Sequence, residues 1–135
     1  MDDAIARYRA ASEANDLDAL MATVAPDAEV VSPLSGRMVF RGHDDLRILL
    51  GAVYSTTSDM SWNEEVGDGP ARILIGTFKL GPFRASDAMA FDLAPDGLIR
   101  RIRPHLRPWL PTTLFALLLG PKVAMHPGVI LRALR

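Results

Sequence analysis

The chain has 135 residues, 15 Lys plus Arg against 16 Asp plus Glu, 49% hydrophobic residues and no Cys. That length and apolar share supply one hydrophobic core and not two, while the missing thiols exclude disulfides, cysteine zinc sites, iron–sulfur clusters and a cysteine nucleophile. A net charge of -1 lacks the basic excess on which a general nucleic-acid binder relies, so no nucleic-acid partner is expected.

The start, Met1-Asp2-Asp3-Ala4, is acidic where a secretory signal is basic, and the longest apolar run near either end is Leu114 to Leu119. Neither a signal peptide nor a membrane span is expected, which makes cytoplasmic the default. In residues 2 to 15 the stripe Ala4, Ile5, Tyr8, Ala11 and Ser12 has helical spacing, with Asp2 and Asp3 where the helix dipole favours acids. Asn15-Asp16 supplies a stop and a new cap, after which Leu17, Leu20, Met21 and Val24 predict a short second helix up to Pro26. Val30-Val31 and Met38-Val39-Phe40, joined by the turn Pro33-Leu34-Ser35-Gly36, read as an edge hairpin.

Gly42 and Asp44-Asp45 open a third helix that ends near Ser55, with Leu46, Leu49, Leu50, Val53 and Tyr54 on one side. Within it, His43 is disfavoured as a cation near the helix start and is expected to serve the turn. Four extended segments follow, about 58–66, 71–80, 83–93 and 98–106, separated by Gly67-Asp68-Gly69-Pro70, Gly81-Pro82 and Pro95-Asp96-Gly97. They describe an antiparallel meander. Residues 111–134 predict a helix from Pro111, a break at Gly120-Pro121 and a second short helix after Pro127, with His126 as a connector. The order of elements is that of an α+β domain, residues 1–108, with helices on one side of a curved antiparallel sheet able to close around a pocket, and residues 109–135 as a helical extension.

The stretches Arg7-Tyr8-Arg9-Ala10-Ala11, Asn15-Asp16-Leu17-Asp18-Ala19-Leu20, Ala28-Glu29-Val30-Val31-Ser32-Pro33 and Phe40-Arg41-Gly42-His43 resemble the nuclear transport factor 2-like superfamily, nearest its SnoaL-like and ketosteroid isomerase branches. The resemblance implies a cone-shaped, cystatin-like α+β barrel around an apolar cavity, in a superfamily that includes isomerases, polyketide cyclases and non-catalytic binding modules. It places the oxyanion-hole tyrosine at Tyr8 and its partner carboxylic acid at Asp87. Where isomerases carry the general-base carboxylate this chain has Ser32, whose hydroxyl cannot accept a proton at neutral pH without a base of its own. Where the cyclases place a catalytic carboxylate, this chain has His105, Leu106 and Arg107.

Strand alternation independently puts Phe83, Ala85, Asp87, Met89, Phe91 and Leu93 on one face, so Asp87 sits among apolar neighbours. Such a carboxylate is either a neutral hydrogen-bond donor of raised pKa or the partner of an arginine, Arg101 or Arg103. Tyr8 lies on the buried stripe, as packing with a structural hydrogen bond or as half of a pair with Asp87. His105 ends an Arg-rich strand and could act as a base at the cavity mouth. Trp62, sharing parity with Met60, Glu64 and Val66, suits a ligand wall or a dimerising sheet surface. Ser32, Trp62, Met89 and Phe91 are thus the expected ligand contacts, with Tyr8, Asp87 and His105 as catalytic candidates. No His/acid spacing suits a metal and no glycine-rich phosphate loop is present, so neither metal, nucleotide nor other cofactor is expected.

Charge is divided unevenly. The first 96 residues carry 8 basic and 16 acidic side chains, and the remainder 7 basic and none acidic. From Trp109 onward the chain is also strongly apolar, which fits a lid over the cone, an arm on a second subunit, or an interfacial helix on an anionic membrane, the last having few cations to hold it. The expectation is a cofactor-free domain that binds a small hydrophobic molecule, with isomerase- or cyclase-type proton transfer or with no catalysis at all, and paired as a homodimer.

Overall fold

A computed structural model describes residues 3–35 and 37–135; Asp2 and Gly36, assigned above to a helix start and a turn, lie outside them. The helix α1 (Ala4–Glu13) is capped by Asp3, whose Oδ1 accepts the Ala6 amide at 2.9 Å, and it ends at Asn15 in the left-handed region (φ 55°). Asp16 caps α2 (Leu17–Met21). That helix is shorter than expected. The strand β1 (Val24–Val31) begins before Pro26, not after it. Pro26 is tolerated because the ladder with the last strand is interrupted between Val24 and Glu29, so no hydrogen-bonded amide is needed there.

The remaining elements are β2 (Val39–Arg41), α3 (His43–Thr56), β3 (Ser58–Val66), β4 (Ala71–Leu80), β5 (Phe83–Leu93), β6 (Ile99–Arg107), α4 (Trp109–Ala124) and α5 (Pro127–Ala133). The strands form one sheet in the order β2-β1-β6-β5-β4-β3. All its pairings are antiparallel except β1 with β6, which is parallel. The sheet is therefore mixed, and with β2 and β3 as free edges it is curved but unclosed. Buried and accessible positions alternate from Leu74 to Leu80 in β4 and from Ala85 to Phe91 in β5, the latter as predicted, while Phe83, expected on the buried face of β5, is 40% exposed.

Two departures have clear physical causes. The strand β3 breaks register between Ser58 and Ser61 and again between Trp62 and Glu64, so the parity assumed for Met60, Trp62, Glu64 and Val66 does not survive. In α4 the helix runs through Gly120-Pro121 without a break. A residue before proline avoids the helical region because its Cβ meets the proline ring, and Gly120 has no Cβ; a Cβ there would otherwise meet nothing within 4 Å.

Helices α1 and α3 fill the concave side of the sheet, burying Ile5, Tyr8, Leu46 and Leu50 against Leu74, Phe91, Ile99 and Ile102. The C-terminal helices pack back onto the cone. Phe115 meets Phe78 edge-on at 6.2 Å between ring centres, and Arg132 of α5 makes a two-pronged bond to the buried Asp45 of α3, both contacts 2.8 Å.

Candidate functional site

Between the sheet, α3 and α4 lies a pocket of about 300 Å³, at the lower end of small-molecule sites. Aliphatic and aromatic side chains dominate its lining, among them Phe40, Leu49, Phe78, Met89, Phe115 and Leu119. Asp87 of β5 points into it and is 3% exposed. Among the described lining residues it is the sole carboxylate, and none is a Lys, Arg or His. The arginines considered as partners go elsewhere, Arg101 to Glu29 and Arg103 to Asp92.

The hydrogen bond found for the Asp87 carboxylate is a long one, from the His105 main-chain N–H to Oδ1 at 3.3 Å. Burial dominates, and its pKa is pushed up to about 7 from an ordinary 3.8, the amide opposing weakly. Near neutral pH the group is divided between a proton donor and a proton acceptor.

Tyr54, on the pocket-facing side of α3, also lines the site. Its hydroxyl lies 2.9 Å from that of Tyr8, both groups being buried. Burial pushes both phenols well above their ordinary range, helped at Tyr54 by the neighbouring Tyr8 and then by the negative charge of Asp87, and at Tyr8 by Asp87 against the opposing hydrogen bond with Tyr54, so both stay protonated. Asn15 holds this region in place, its side-chain amide donating to the Tyr54 carbonyl at 3.0 Å.

The expected constellation is thus assembled in part. Asp87, Met89 and Ser32 line the pocket; Tyr8 does not, standing one side chain behind it with its ring edge-on to Phe91 at 5.0 Å. Tyr54 occupies the intervening place. Sequence reasoning put Tyr54 on the correct helix face but assigned it no role, and only the tertiary fold, invisible in local periodicity, brings the phenols together. Ser32 Oγ accepts the amides of Leu34 and Ser35 at 3.1 and 3.2 Å, a serine turn that shapes the β1–β2 loop.

Besides Tyr8, three expected residues lie away from the pocket. His105 is exposed: on β6 its neighbours Pro104 and Leu106 face the pocket, alternation turns its ring outward, and Nδ1 lies 3.2 Å from the Ala88 carbonyl. It meets Asp87 through its main chain alone. Phe91 is buried against Tyr8. Trp62 is buried between α1 and β3, its indole N–H donating to Ser12 Oγ at 2.8 Å and its amide to Glu13 Oε2 at 2.9 Å. Neither a ligand wall nor an exposed sheet face describes it. Gly76 makes that placement possible, since a Cβ there would lie 2.2 Å from the Ser61 carbonyl oxygen and 2.8 Å from the indole.

A family profile for the SnoaL-like domain matches residues 5–102. The chain belongs to this SnoaL-like family. An uncharacterised Silicibacter pomeroyi protein with a cystatin-like fold superposes with a TM-score of 0.86 at 22% identity, over 96% of this chain and 91% of that one. A steroid delta-isomerase from Pseudomonas aeruginosa gives 0.82 at 19% identity, over 93% and 92%. TerC, co-crystallised with polyporic acid, gives 0.67 at 18%, over 87% and 95%. At such identities the likeness is one of fold. No curated protein matches the sequence. The profile ends before α4, but the first two superpositions extend into the C-terminal helices, because a match stopping at residue 108 could cover only about four fifths of the chain.

Proposed function

We propose that the protein binds a small, largely apolar molecule carrying one oxygen function, which Asp87 and Tyr54 receive. The observation that carries this reading is a buried carboxyl without a cation in an otherwise apolar pocket. An isolated carboxyl there is costly unless a ligand or a proton satisfies it. Protonated, Asp87 donates to a carbonyl oxygen. Tyr54 can donate to the same oxygen while accepting from Tyr8, which strengthens its donation by polarising it.

The same geometry supports cofactor-free proton transfer in which Asp87 itself is the exchanging group. Ionised Asp87 would take a proton from a carbon next to the carbonyl, Tyr54 would stabilise the resulting enolate oxygen, and the Asp87 carboxylic acid would return that proton to another carbon. Proton and charge balance without a further reagent. A non-catalytic binding role is favoured by one specific observation: with Ser32 at the expected base position, no second carboxylate or imidazole lines the described pocket.

Acetylnaphthalene, an apolar ketone that only accepts hydrogen bonds, is a suitable probe by titration calorimetry. Its affinity is expected to fall about tenfold or more as pH rises through about 7, and to become independent of pH in Asp87→Asn. Binding that is equal in both proteins and flat with pH would overturn the assignment of Asp87. Native mass spectrometry of the protein as purified then identifies any apolar molecule that travels with it.

A further inference from the structure

We propose that the outer face of α4 seats this protein on an anionic lipid bilayer. The helix has two sides. Phe115, Leu119 and Val123 are buried against the cone. On the other side Trp109, Leu110, Leu117 and Leu118 are 79%, 54%, 68% and 43% exposed, and Met125, just beyond the helix end, is 78% exposed. With successive residues about 100° apart, Leu110, Leu117, Pro121 and Ala124 form one row opposite Leu119. That row holds no charged residue, and the single charge in Trp109–Ala124 is Lys122. A helix apolar on all sides belongs inside a protein or in contact with lipid, and a contiguous exposed apolar strip marks an interaction surface.

Charge selects the occupant. No acidic residue follows Asp96, and of the seven basic ones Arg101, Arg103 and Arg132 pair with Glu29, Asp92 and Asp45, so that Lys122 is the cation carried by α4 itself. Leu118, Lys122 and His126 follow at four-residue intervals, so the apolar strip grades into a basic flank where Lys122, His126 and Arg47 line a second, open hollow. Arg47 also meets Asp18. The Lys122 ammonium, in contrast, donates to the hydroxyls of Ser55 and Thr56 at 3.0 and 2.8 Å, neutral groups that orient its charge without cancelling it. An apolar strip edged by cations, with a tryptophan at one end, suits acyl chains and phosphate headgroups together. A second copy fits worse. A two-fold contact presents the same patch to itself, bringing the Lys122 charges of two copies together, while the nearby Asp18 is already taken up by Arg47.

The contact is peripheral. With 16 residues α4 is roughly 24 Å long, short of the hydrocarbon thickness, and it meets α5 at a bend of 110°. Among the described residues no single helix is long and apolar enough to cross a membrane. This proposal goes beyond the reading of the pocket and does not rest on it.

The full chain is sedimented with vesicles of phosphatidylcholine alone and of phosphatidylcholine with phosphatidylglycerol. The expected result is pelleting with the anionic vesicles, about tenfold weaker with neutral ones and weakened by salt. The double substitution Leu117→Asn and Met125→Asn, at exposed positions, should reduce pelleting about tenfold with thermal unfolding unchanged, and Leu117→Ala, which keeps helix propensity, should reduce it less. Asp87→Asn should pellet like the parent, which separates this test from that of the pocket. The proposal is overturned if the parent stays in solution with anionic vesicles, or if a folded double variant pellets equally. It is also overturned if the strip proves to be a contact between copies, shown by a dimer that the double substitution converts to monomer without any vesicle binding.

Discussion

Asp87 couples the site to the stability of the whole chain. Its carboxyl has a pKa of about 7 when folded and 3.8 ordinarily, so between those values the folded form holds a proton that the unfolded form has lost. Stability contributed by this group is fully present below about pH 4, falls as pH rises, and is gone above about 7. Asp87→Asn removes the ionisation. In urea unfolding it is expected to be more stable than the parent by about 2–4 kcal/mol at pH 8, with the gap closing towards pH 4. A parent protein whose stability is flat over that range would contradict the placement. Asp87 was legible in sequence because β5 alternates from Ala85 to Phe91, and a carboxylate in phase with Ala85, Met89 and Phe91 declares its face. Its lack of a cation was not, since the choice between Arg101, Arg103 and no partner depends on where Glu29 and Asp92 draw those arginines. Tyr54 was missed for a similar reason: its partner is 46 residues away.

Local signals placed most helices and strands, although α2 stops at Met21 and α4 runs through Gly120-Pro121, while features that depend on a neighbour were not legible. The cap at Asp16 and the turns of the meander are written in adjacent residues, whereas Asp3, expected in the first turn of α1, is its N-cap. The bulges of β3 are written in the approach of Arg9, whose guanidinium donates to the Trp62 carbonyl at 2.6 Å, and in the space at Gly76. The docking of α5 likewise depends on a distant carboxylate. Asp45 is 8% exposed, and hydrogen bonding to Arg132 holds its pKa below 3.8, so the pair contributes above that pH and its contribution is lost as pH falls through the lowered value. Arg132→Ala strands a buried carboxylate. It is expected to lower the urea unfolding midpoint at pH 7, with a deficit that shrinks in acid; a deficit that persists at low pH would assign the effect to packing.

For the molecule as a whole, the net charge of -1 is an average over unlike regions. Arg132 with Asp45 joins the basic tail to the acidic body, and Arg101 and Arg103 do the same for β6 through Glu29 and Asp92. Neutrality is therefore partly a consequence of the fold. The parallel pairing of β1 with β6 has a further consequence, one of time. Glu29 and Arg101, bonded across that ladder at 2.9 Å, are 72 residues apart, and no hairpin can bring them together. Refolding after dilution from urea is expected on the millisecond-to-second scale typical of non-local topologies, and a microsecond transition would count against this order of strands. The wall that carries Asp87 closes only when the last strand arrives. A nascent chain therefore has no pocket until most of it has been synthesised, and a molecule that fills the pocket recognises the finished fold alone, drawing the folding equilibrium towards it by mass action.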